Sequence, residues 1–153
     1  MLTIRLTRDV AETIGRACRR GGVRETGGML LAEHLGENDF RVLEATVAAA
    51  GHFATFVRTL EDGLRRLNAF FRRTREQYSR FNYLGEWHSH PSFALLPSTT
   101  DEQTMNEMLN DPSVGALFVV LLIVKIEDGA LMCAAWAFAR DRARADCEVL
   151  LEA

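Results

Sequence analysis

The stretch GEWHSHPSFALLPSTTD, from Gly85 to Asp101, contains the most informative pattern in the chain. The preceding residues FNYL join it in an alternation of apolar and polar side chains, which is typical of a β-strand. Residues two apart on a strand point to the same face, so Glu86, His88 and His90 share one face where the strand ends. Pro91 cannot extend a central hydrogen-bond ladder, so the chain turns away there. Two imidazoles are therefore expected side by side at an edge of the sheet.

Asp101 follows the second histidine by eleven residues. Ser98 is suited to cap a helix predicted over 98–109, and Asp101 then lies in its first turn. If the intervening loop folds back, that turn reaches the imidazoles. Two histidines, one carboxylate and a water form a tetrahedral zinc site with an open catalytic position. The alternative is a polar strand end followed by a helix cap, but the joint spacing favours the metal site.

Composition predicts one ordinary soluble domain spanning 1–153. Apolar residues make up 48% of the chain and charged residues 25%, and the net charge of −3 suggests neither a nucleic-acid surface nor a membrane surface. The longest apolar run, Val114–Val124, is too short to span a bilayer. The N-terminal residues MLTIRLTRDV do not read as a signal peptide.

The three cysteines are odd in number and lack CxxC spacing. This pattern predicts free thiols in a reducing, cytoplasmic environment rather than disulfides or a zinc–thiolate site. A cysteine hydrolase with Cys133 or Cys147 as nucleophile is a competing hypothesis. Cys133 lies in a predicted buried strand, where a cysteine usually acts as a small inert hydrophobe.

The other histidines lack comparable neighbours. His34 and His52 are expected on the surface or in loops, and no HExxH motif is present, which excludes a helix-borne zinc protease.

Periodicity and turn residues predict the order βαββαβαββ, which corresponds to a single α/β domain of α+β type with a mixed β-sheet flanked by helices. The predicted elements are a strand at 2–6, a helix ending at Gly21–Gly22, strands in ETGGMLLAEHL and FRVLEATVAAA, a helix at 61–80, a strand leading into the histidines, a helix at 98–109, a strand at 115–125 buried on both faces, and a strand at 131–138 after an Asp128–Gly129 turn.

At these residues the sequence resembles the JAMM/MPN+ (JAB domain) zinc metalloprotease family. The signature of that family is a distant glutamate, then His-x-His-Pro, six residues, and Ser-x-x-Asp. The chain reads His88-Ser89-His90-Pro91, SFALLP, Ser98-Thr99-Thr100-Asp101, and ETGGMLL supplies Glu25 as the distant glutamate.

The resemblance implies roles for five residues. His88, His90 and Asp101 bind one Zn²⁺ per chain, Glu25 is the general base and acid, and Ser98 helps to hold the oxyanion. The residues alone would have favoured Glu86 as the base, because it shares the face of the histidines. The resemblance makes Glu86 a partner that orients a ligand or contacts substrate.

Gly27 and Gly28 follow Glu25 in a predicted strand. They are expected to allow close approach of substrate backbone, with an extended tail adding to the edge of that strand.

Members of the family are mostly isopeptidases or peptidases that release ubiquitin or ubiquitin-like tails. Short bacterial members with GEWHSHP resemble those encoded beside ubiquitin-activating-like and conjugating-like enzymes, in cassettes of which some act in antiphage defence. The implied substrate is a ubiquitin-like protein or its conjugate, cleaved after its terminal glycine.

The first alternative is a peptidase that removes a tail or cysteine adduct from a sulfur-carrier protein. The second is a non-catalytic MPN scaffold, which the presence of all five functional residues disfavours.

Overall fold

The fold is described from a computed structural model for residues 1–48, 60–112 and 114–153, with only the backbone for 60–62. The elements are β1 (Thr3–Leu6), α1 (Arg8–Gly21), β2 (Gly27–Gly36), β3 (Asp39–Ala45), α2 (Leu60–Arg73), β4 (Phe81–Ser89), α3 (Thr99–Asn110), β5 (Phe118–Glu127), β6 (Ala130–Ala139) and β7 (Ala145–Leu151).

The strands form a mixed sheet that closes on itself. Their order is β1-β3-β2-β4-β5-β6-β7, and β7 returns to pair with β1. The pairs β1–β3, β1–β7 and β4–β5 are parallel, and the other pairs are antiparallel. The predicted α+β domain with a mixed sheet is thus confirmed, but neither the closure nor β7 was predicted. The short strand β7 is mostly exposed or half-buried, so its sequence lacks a strong apolar alternation.

Two hydrophobic cores lie on opposite faces of β5. Val120, Leu122 and Val124 belong to a core that also contains one face of α1. The alternate residues of β5 belong to a second core under α3, together with Met105 and Met108. The prediction that this strand is buried on both faces is confirmed, and the second core fixes α3 beside the end of β4.

Several element boundaries differ from the predictions. The helix predicted over 61–80 begins at Leu60 and ends at Arg73, because Arg75 and Glu76 adopt the left-handed conformation. The strand predicted through residue 50 ends at Ala45, and its last two residues and His52 lie outside the described residues. The hairpin turn at Asp128–Gly129 is confirmed, with positive φ at both residues.

No helix among the described residues is long and apolar enough to cross a membrane.

Candidate metal centre

Three side chains converge at the end of β4. His88 Nε2 lies 3.1 Å from His90 Nε2 and 3.1 Å from Asp101 Oδ1, and His90 Nε2 lies 3.3 Å from Asp101 Oδ2. Both imidazoles are buried, and Asp101 is largely covered. The loop does fold back, so the first turn of α3 meets the histidine face of the strand.

This donor set fits a tetrahedral zinc ion. Ligand atoms bound about 2.0–2.1 Å from such an ion lie about 3.3 Å from one another, which matches the separations above. The best ligand atoms of the three residues all lie within 4.8 Å of one another. Two unprotonated imidazole nitrogens and a carboxylate would repel one another at these distances, and either a proton on His88 or a shared metal cation removes that repulsion.

The loop after Pro91 orients one of the imidazoles. His90 Nδ1 lies 3.0 Å from the carbonyl oxygen of Ala94, so that nitrogen carries the proton and donates it. The lone pair of His90 is then on Nε2, toward His88 and Asp101. A second contact holds the same loop, because Lys125 Nζ donates to the carbonyl oxygen of Phe93 at 3.3 Å.

A capping box places Asp101. Ser98 Oγ accepts a 3.0 Å hydrogen bond from the backbone N–H of Asp101, and Asp101 Oδ2 accepts a 2.7 Å bond from the N–H of Ser98. Burial raises the pKa of Asp101, but the hydrogen bond and charge of His88 and the bonds with Ser98 outweigh it and lower the pKa to about 2. Asp101 is therefore an anion at neutral pH, as a metal ligand must be.

Glu25 and Ser98 line the same cleft as the three side chains. The cleft has a volume of about 520 Å³ and lies between α2 and α3. Glu25 is half-buried just before β2, whose Gly27 pairs with His88 of β4. The five residues named by the JAMM signature are thus brought together, whereas their chemical roles stay predictions.

Two hydrogen bonds attach the Glu25 segment to the histidine strand. The N–H of Thr26 donates to Ser89 Oγ at 2.9 Å, and the N–H of Ser89 donates to the carbonyl oxygen of Thr26 at 2.8 Å. Thr26 follows Glu25 directly, and Ser89 separates His88 from His90. Sequence patterns did not predict this link, since neither residue is a histidine of the His-x-His pattern or part of the helix-cap pattern.

Glu86 also lines the cleft, on the histidine face as predicted. Tyr83 Oη donates to its Oε1 at 2.8 Å. Burial raises the pKa of Glu86 to about 8, which the hydrogen bond from Tyr83 partly opposes. Sequence periodicity did not predict the contact between Tyr83 and Glu86, because residues three apart on a regular strand normally point to opposite faces. The pairing with β2 shifts between Leu30 and Leu31, and this irregularity places Tyr83 on the face of Glu86.

The expectation that a substrate strand adds to β2 at the glycines is wrong for the described arrangement. Gly27 and Gly28 pair with β4 on one side, while the N–H of Ala48 donates to the carbonyl oxygen of Gly27 on the other. A Cβ at Gly28 would lie 1.9 Å from the carbonyl oxygen of Thr46. Internal packing therefore requires glycine there. Gly28 still lies on the cleft wall, so its contact with substrate remains a prediction.

The cysteines are unsuited to nucleophilic chemistry here. Burial raises the pKa of Cys133 to about 12 and that of Cys147 to about 11, and neither residue lines the cleft. All three cysteines are free thiols, as predicted. His34 stacks on Phe40 with ring centroids 4.7 Å apart, away from the candidate ligands.

Solved structures with a similar fold span nearly the whole chain. A solution structure of a protein from Desulfitobacterium hafniense matches with a TM-score of 0.68 and 19% identity, covering 97% of this chain and 92% of the other. One from Salinibacter ruber (strain DSM 13855) matches with a TM-score of 0.58 and 25% identity, covering 99% and 92%.

Sequence comparison identifies both a relative and a family. A protein of Enterobacter hormaechei subsp. hoffmannii (strain UCI 50), named CD-NTase/cGAS isopeptidase, is 27% identical over 129 residues, which cover 81% of this chain and 68% of that protein. The sequence profile described as prokaryotic homologs of the JAB domain matches residues 7–139. That match includes all five signature residues and most of the fold, and the chain therefore belongs to the prokaryotic JAB-domain family.

Proposed function

We propose that this protein is a zinc-dependent isopeptidase or peptidase that hydrolyses the amide bond after the C-terminal tail of a ubiquitin-like protein. The observation that carries the proposal is the convergence of His88, His90 and Asp101 in the cleft that Glu25 lines. The relative named as an isopeptidase supports this type of reaction.

The protein's own residues divide the work. His88, His90 and Asp101 hold the metal, and zinc, when bound, supplies a Lewis acid and lowers the pKa of a water ligand to about 7. Glu25 is not in the ligand set, so its carboxylate is available to take a proton from the attacking water. It returns that proton to the leaving nitrogen, which departs as an amine while the tail leaves as a carboxylic acid.

Ser98 stabilises the oxyanion that forms on the attacked carbonyl. Its Oγ accepts the N–H of Asp101, which leaves its hydroxyl proton to donate. The hydroxyl also lies at the N-terminus of α3, where the partial positive charge of the helix favours an anion. The helix cap and the oxyanion donor are therefore compatible roles for one side chain.

The Enterobacter relative is named as an isopeptidase of CD-NTase/cGAS. We infer that the substrates are a ubiquitin-like protein and its conjugates or precursors, encoded with ubiquitin-activating-like and conjugating-like enzymes and serving antiphage defence. We place this activity in the cytoplasm, where reducing conditions keep three free thiols reduced.

The test uses zinc-loaded protein and the ubiquitin-like fusion encoded nearest to it, with release of the tail followed by mass spectrometry. We expect cleavage after the terminal glycine, abolition by chelator, and no effect of thiol alkylation. Glu25→Gln serves as the matched inactive control. Cleavage of a sulfur-carrier adduct instead of this fusion would assign the protein to cofactor or amino-acid synthesis. Absence of both reactions together with absence of zinc binding would indicate a scaffold.

A further inference from the structure

Three arginines at the C-terminal end of α1 form an exposed basic surface. Arg16 and Arg20 lie one helical turn apart on the solvent face of the helix. Arg24 follows in a tight turn, in which its N–H donates to the carbonyl oxygen of Gly21 at 3.0 Å. Arg16, Arg20 and Arg24 are all exposed, and together they are named the α1 arginine surface.

The α1 arginine surface lacks the ion pairs that arginines elsewhere in the fold make. Among the residues that the structure describes, none of its three arginines pairs with a carboxyl group. Glu12, one turn before Arg16, pairs with Arg8 instead, at 3.1 Å. Ion pairs with aspartate or glutamate hold the side chains of Arg5, Arg41, Arg73, Arg80 and Arg144. The positive charge at the end of α1 is therefore not neutralised within the described part of the chain.

The helix dipole accounts for only part of this charge. Arg20 lies in the last turn of α1, where a cation interacts favourably with the C-terminus of the helix. Arg16 lies one turn earlier and Arg24 lies beyond the helix, and like charges one turn apart destabilise a helix. A partner that supplies negative charge would remove this repulsion.

The α1 arginine surface lies at the same end of the sheet as the metal centre. Arg24 directly precedes Glu25, which lines the cleft. Because β4 and β5 are parallel, the hairpin after β5 lies at this end as well, and Arg19 of α1 donates to the carbonyl oxygen of Gly129 in that hairpin at 3.4 Å. The end of α1 is thus fixed beside the Glu25 side of the metal centre.

The position of the surface matches the target protein rather than the tail. No residue of α1, which is described in full, lines the cleft. Glu25 returns a proton to the leaving nitrogen in the proposed reaction, so the protein that carries this nitrogen lies on the side of Glu25. The four-carbon stem of the modified lysine keeps the backbone of the target outside the cleft, where Arg20 and Arg24 are exposed.

The distribution of charge favours a short acidic protein segment over a nucleic acid. Exposed Glu127 and Asp128 belong to the hairpin that Arg19 contacts, and the whole chain has a net charge of −3. A long polyanion would extend onto these carboxylates and be repelled. A few carboxyl groups fit the surface without reaching them, and a guanidinium group binds a carboxylate through two parallel hydrogen bonds.

We propose that the α1 arginine surface binds carboxyl groups that flank the modified lysine of a conjugated target protein. This inference rests on the proposed function and adds a recognition site for the target that is separate from the cleft. Exposed ion pairs are individually weak, but two or three together favour an acidic target over a neutral one by about 3- to 10-fold at low ionic strength.

The test uses three isopeptide conjugates that differ only beside the modified lysine. In each, the C-terminus of the ubiquitin-like protein is joined to the single lysine of a peptide whose neighbouring residues are all glutamate, all glutamine or all arginine. The readout is kcat/KM, measured at low and at high salt with protein of verified zinc content. For the wild type at low salt, we expect glutamate to exceed glutamine by about 3- to 10-fold and arginine to be the poorest. The differences should shrink at high salt, because added ions screen exposed charges.

Two double variants locate the effect. Arg20→Gln combined with Arg24→Gln removes two charges from the surface, and the glutamate-to-glutamine ratio at low salt should fall to about 1–2. Arg8→Gln combined with Arg142→Gln is the matched control, because both residues are exposed and the net charge changes equally. Arg8 lies at the opposite end of α1, about 18 Å from Arg20, so the control should keep the ratio of the wild type. Thermal melts verify that both double variants are folded.

Each remaining outcome has a distinct meaning. Equal cleavage of the three conjugates by the wild type would overturn the inference and leave the proposed function intact. A ratio that persists in Arg20→Gln with Arg24→Gln, or a uniform loss on all three conjugates, would also overturn it. Binding of a single-stranded DNA oligonucleotide that is lost in this variant, without a preference among the conjugates, would assign the surface to nucleic acid instead. Failure of the wild type to cut any conjugate would contradict the proposed function.

Discussion

The candidate metal centre has two halves that are built in different ways. The strand half consists of His88 and His90, which are both buried. His88 is fixed by the pairing of β4 with β2 and β5, and the backbone N–H of His90, just after β4, donates to the carbonyl oxygen of Val124 in β5. The helix half consists of Ser98 and Asp101, which depend on a local capping box at the start of α3. Ser98 is exposed, and Asp101 is the less buried of the ligands.

The two halves differ in which contacts hold their side chains in place. Long-range sheet register controls the strand half, so its geometry is set by the whole fold. Four consecutive residues control the helix half, so a single substitution there changes both the site and the helix terminus. Substitutions in the two halves should therefore differ in their effects on metal binding, stability and turnover.

Loss of a ligand should have the largest effect. His88→Ala removes a donor from the strand half and should lose zinc and activity together, with little change to α3. Asp101→Ala should also lose both, and should lower the free energy of unfolding by about 0.5–2 kcal/mol through loss of the capping box. Elemental analysis, thermal melts and cleavage assays distinguish the two variants. Full zinc occupancy in His88→Ala would contradict the ligand assignment.

Glu25→Gln should come next. It removes a proton carrier that is not a ligand, so zinc and fold should be retained while turnover falls by about 100- to 10,000-fold. Glu86→Gln is the matched comparison and should lower turnover much less. An active Glu25→Gln together with an inactive Glu86→Gln would identify Glu86 as the base instead.

Ser98→Ala tests the helix half separately. Loss of an oxyanion donor should lower kcat by about 100- to 1,000-fold with a smaller effect on KM, and loss of the cap should cost about 1 kcal/mol of stability. Ser98→Gly also lacks the hydroxyl but lowers the stability by only about a few tenths of a kcal/mol. Because both variants lose the oxyanion donor, both should lose the same factor in rate. A lower melting temperature with an unchanged rate would leave Ser98 with the capping role alone.

Ser89→Ala should have the smallest effect. It removes the acceptor of the buried Thr26 N–H, which costs about 1–3 kcal/mol of stability. The adjacent Glu25 segment should then shift and lower turnover by about tenfold, with zinc retained. Ser92→Ala, in the exposed loop, is the control. Unchanged kinetics in Ser89→Ala would mean that this link does not position Glu25.

The sequence predicted those parts of the site that depend on local periodicity. Alternation placed Glu86 and His88 on one face, and the Ser-x-x-Asp pattern placed Asp101 in the first turn of a helix. The hairpin at Asp128–Gly129 and the doubly buried β5 were predicted for the same reason. Each of these features is specified by residues within one element or one turn.

The features that escaped prediction depend on residues far apart in the chain. Closure of the sheet joins β1 to β7, and the need for glycine at Gly28 comes from the carbonyl oxygen of Thr46. Tyr83 reaches Glu86 only because the pairing of β4 with β2 is irregular. Periodicity within one strand carries no information about such cross-strand contacts. The choice of Glu25 over Glu86 likewise came from family resemblance rather than from spacing.

Zinc is expected to bind where the two halves meet. A crystal of zinc-loaded protein, measured on both sides of the zinc absorption edge, would locate the ion. We expect one anomalous peak per chain, about 2.0–2.1 Å from His88 Nε2, from His90 Nε2 and from a carboxylate oxygen of Asp101, with no peak in His88→Ala. Zinc at another position, in protein whose cleavage activity depends on zinc, would contradict the account.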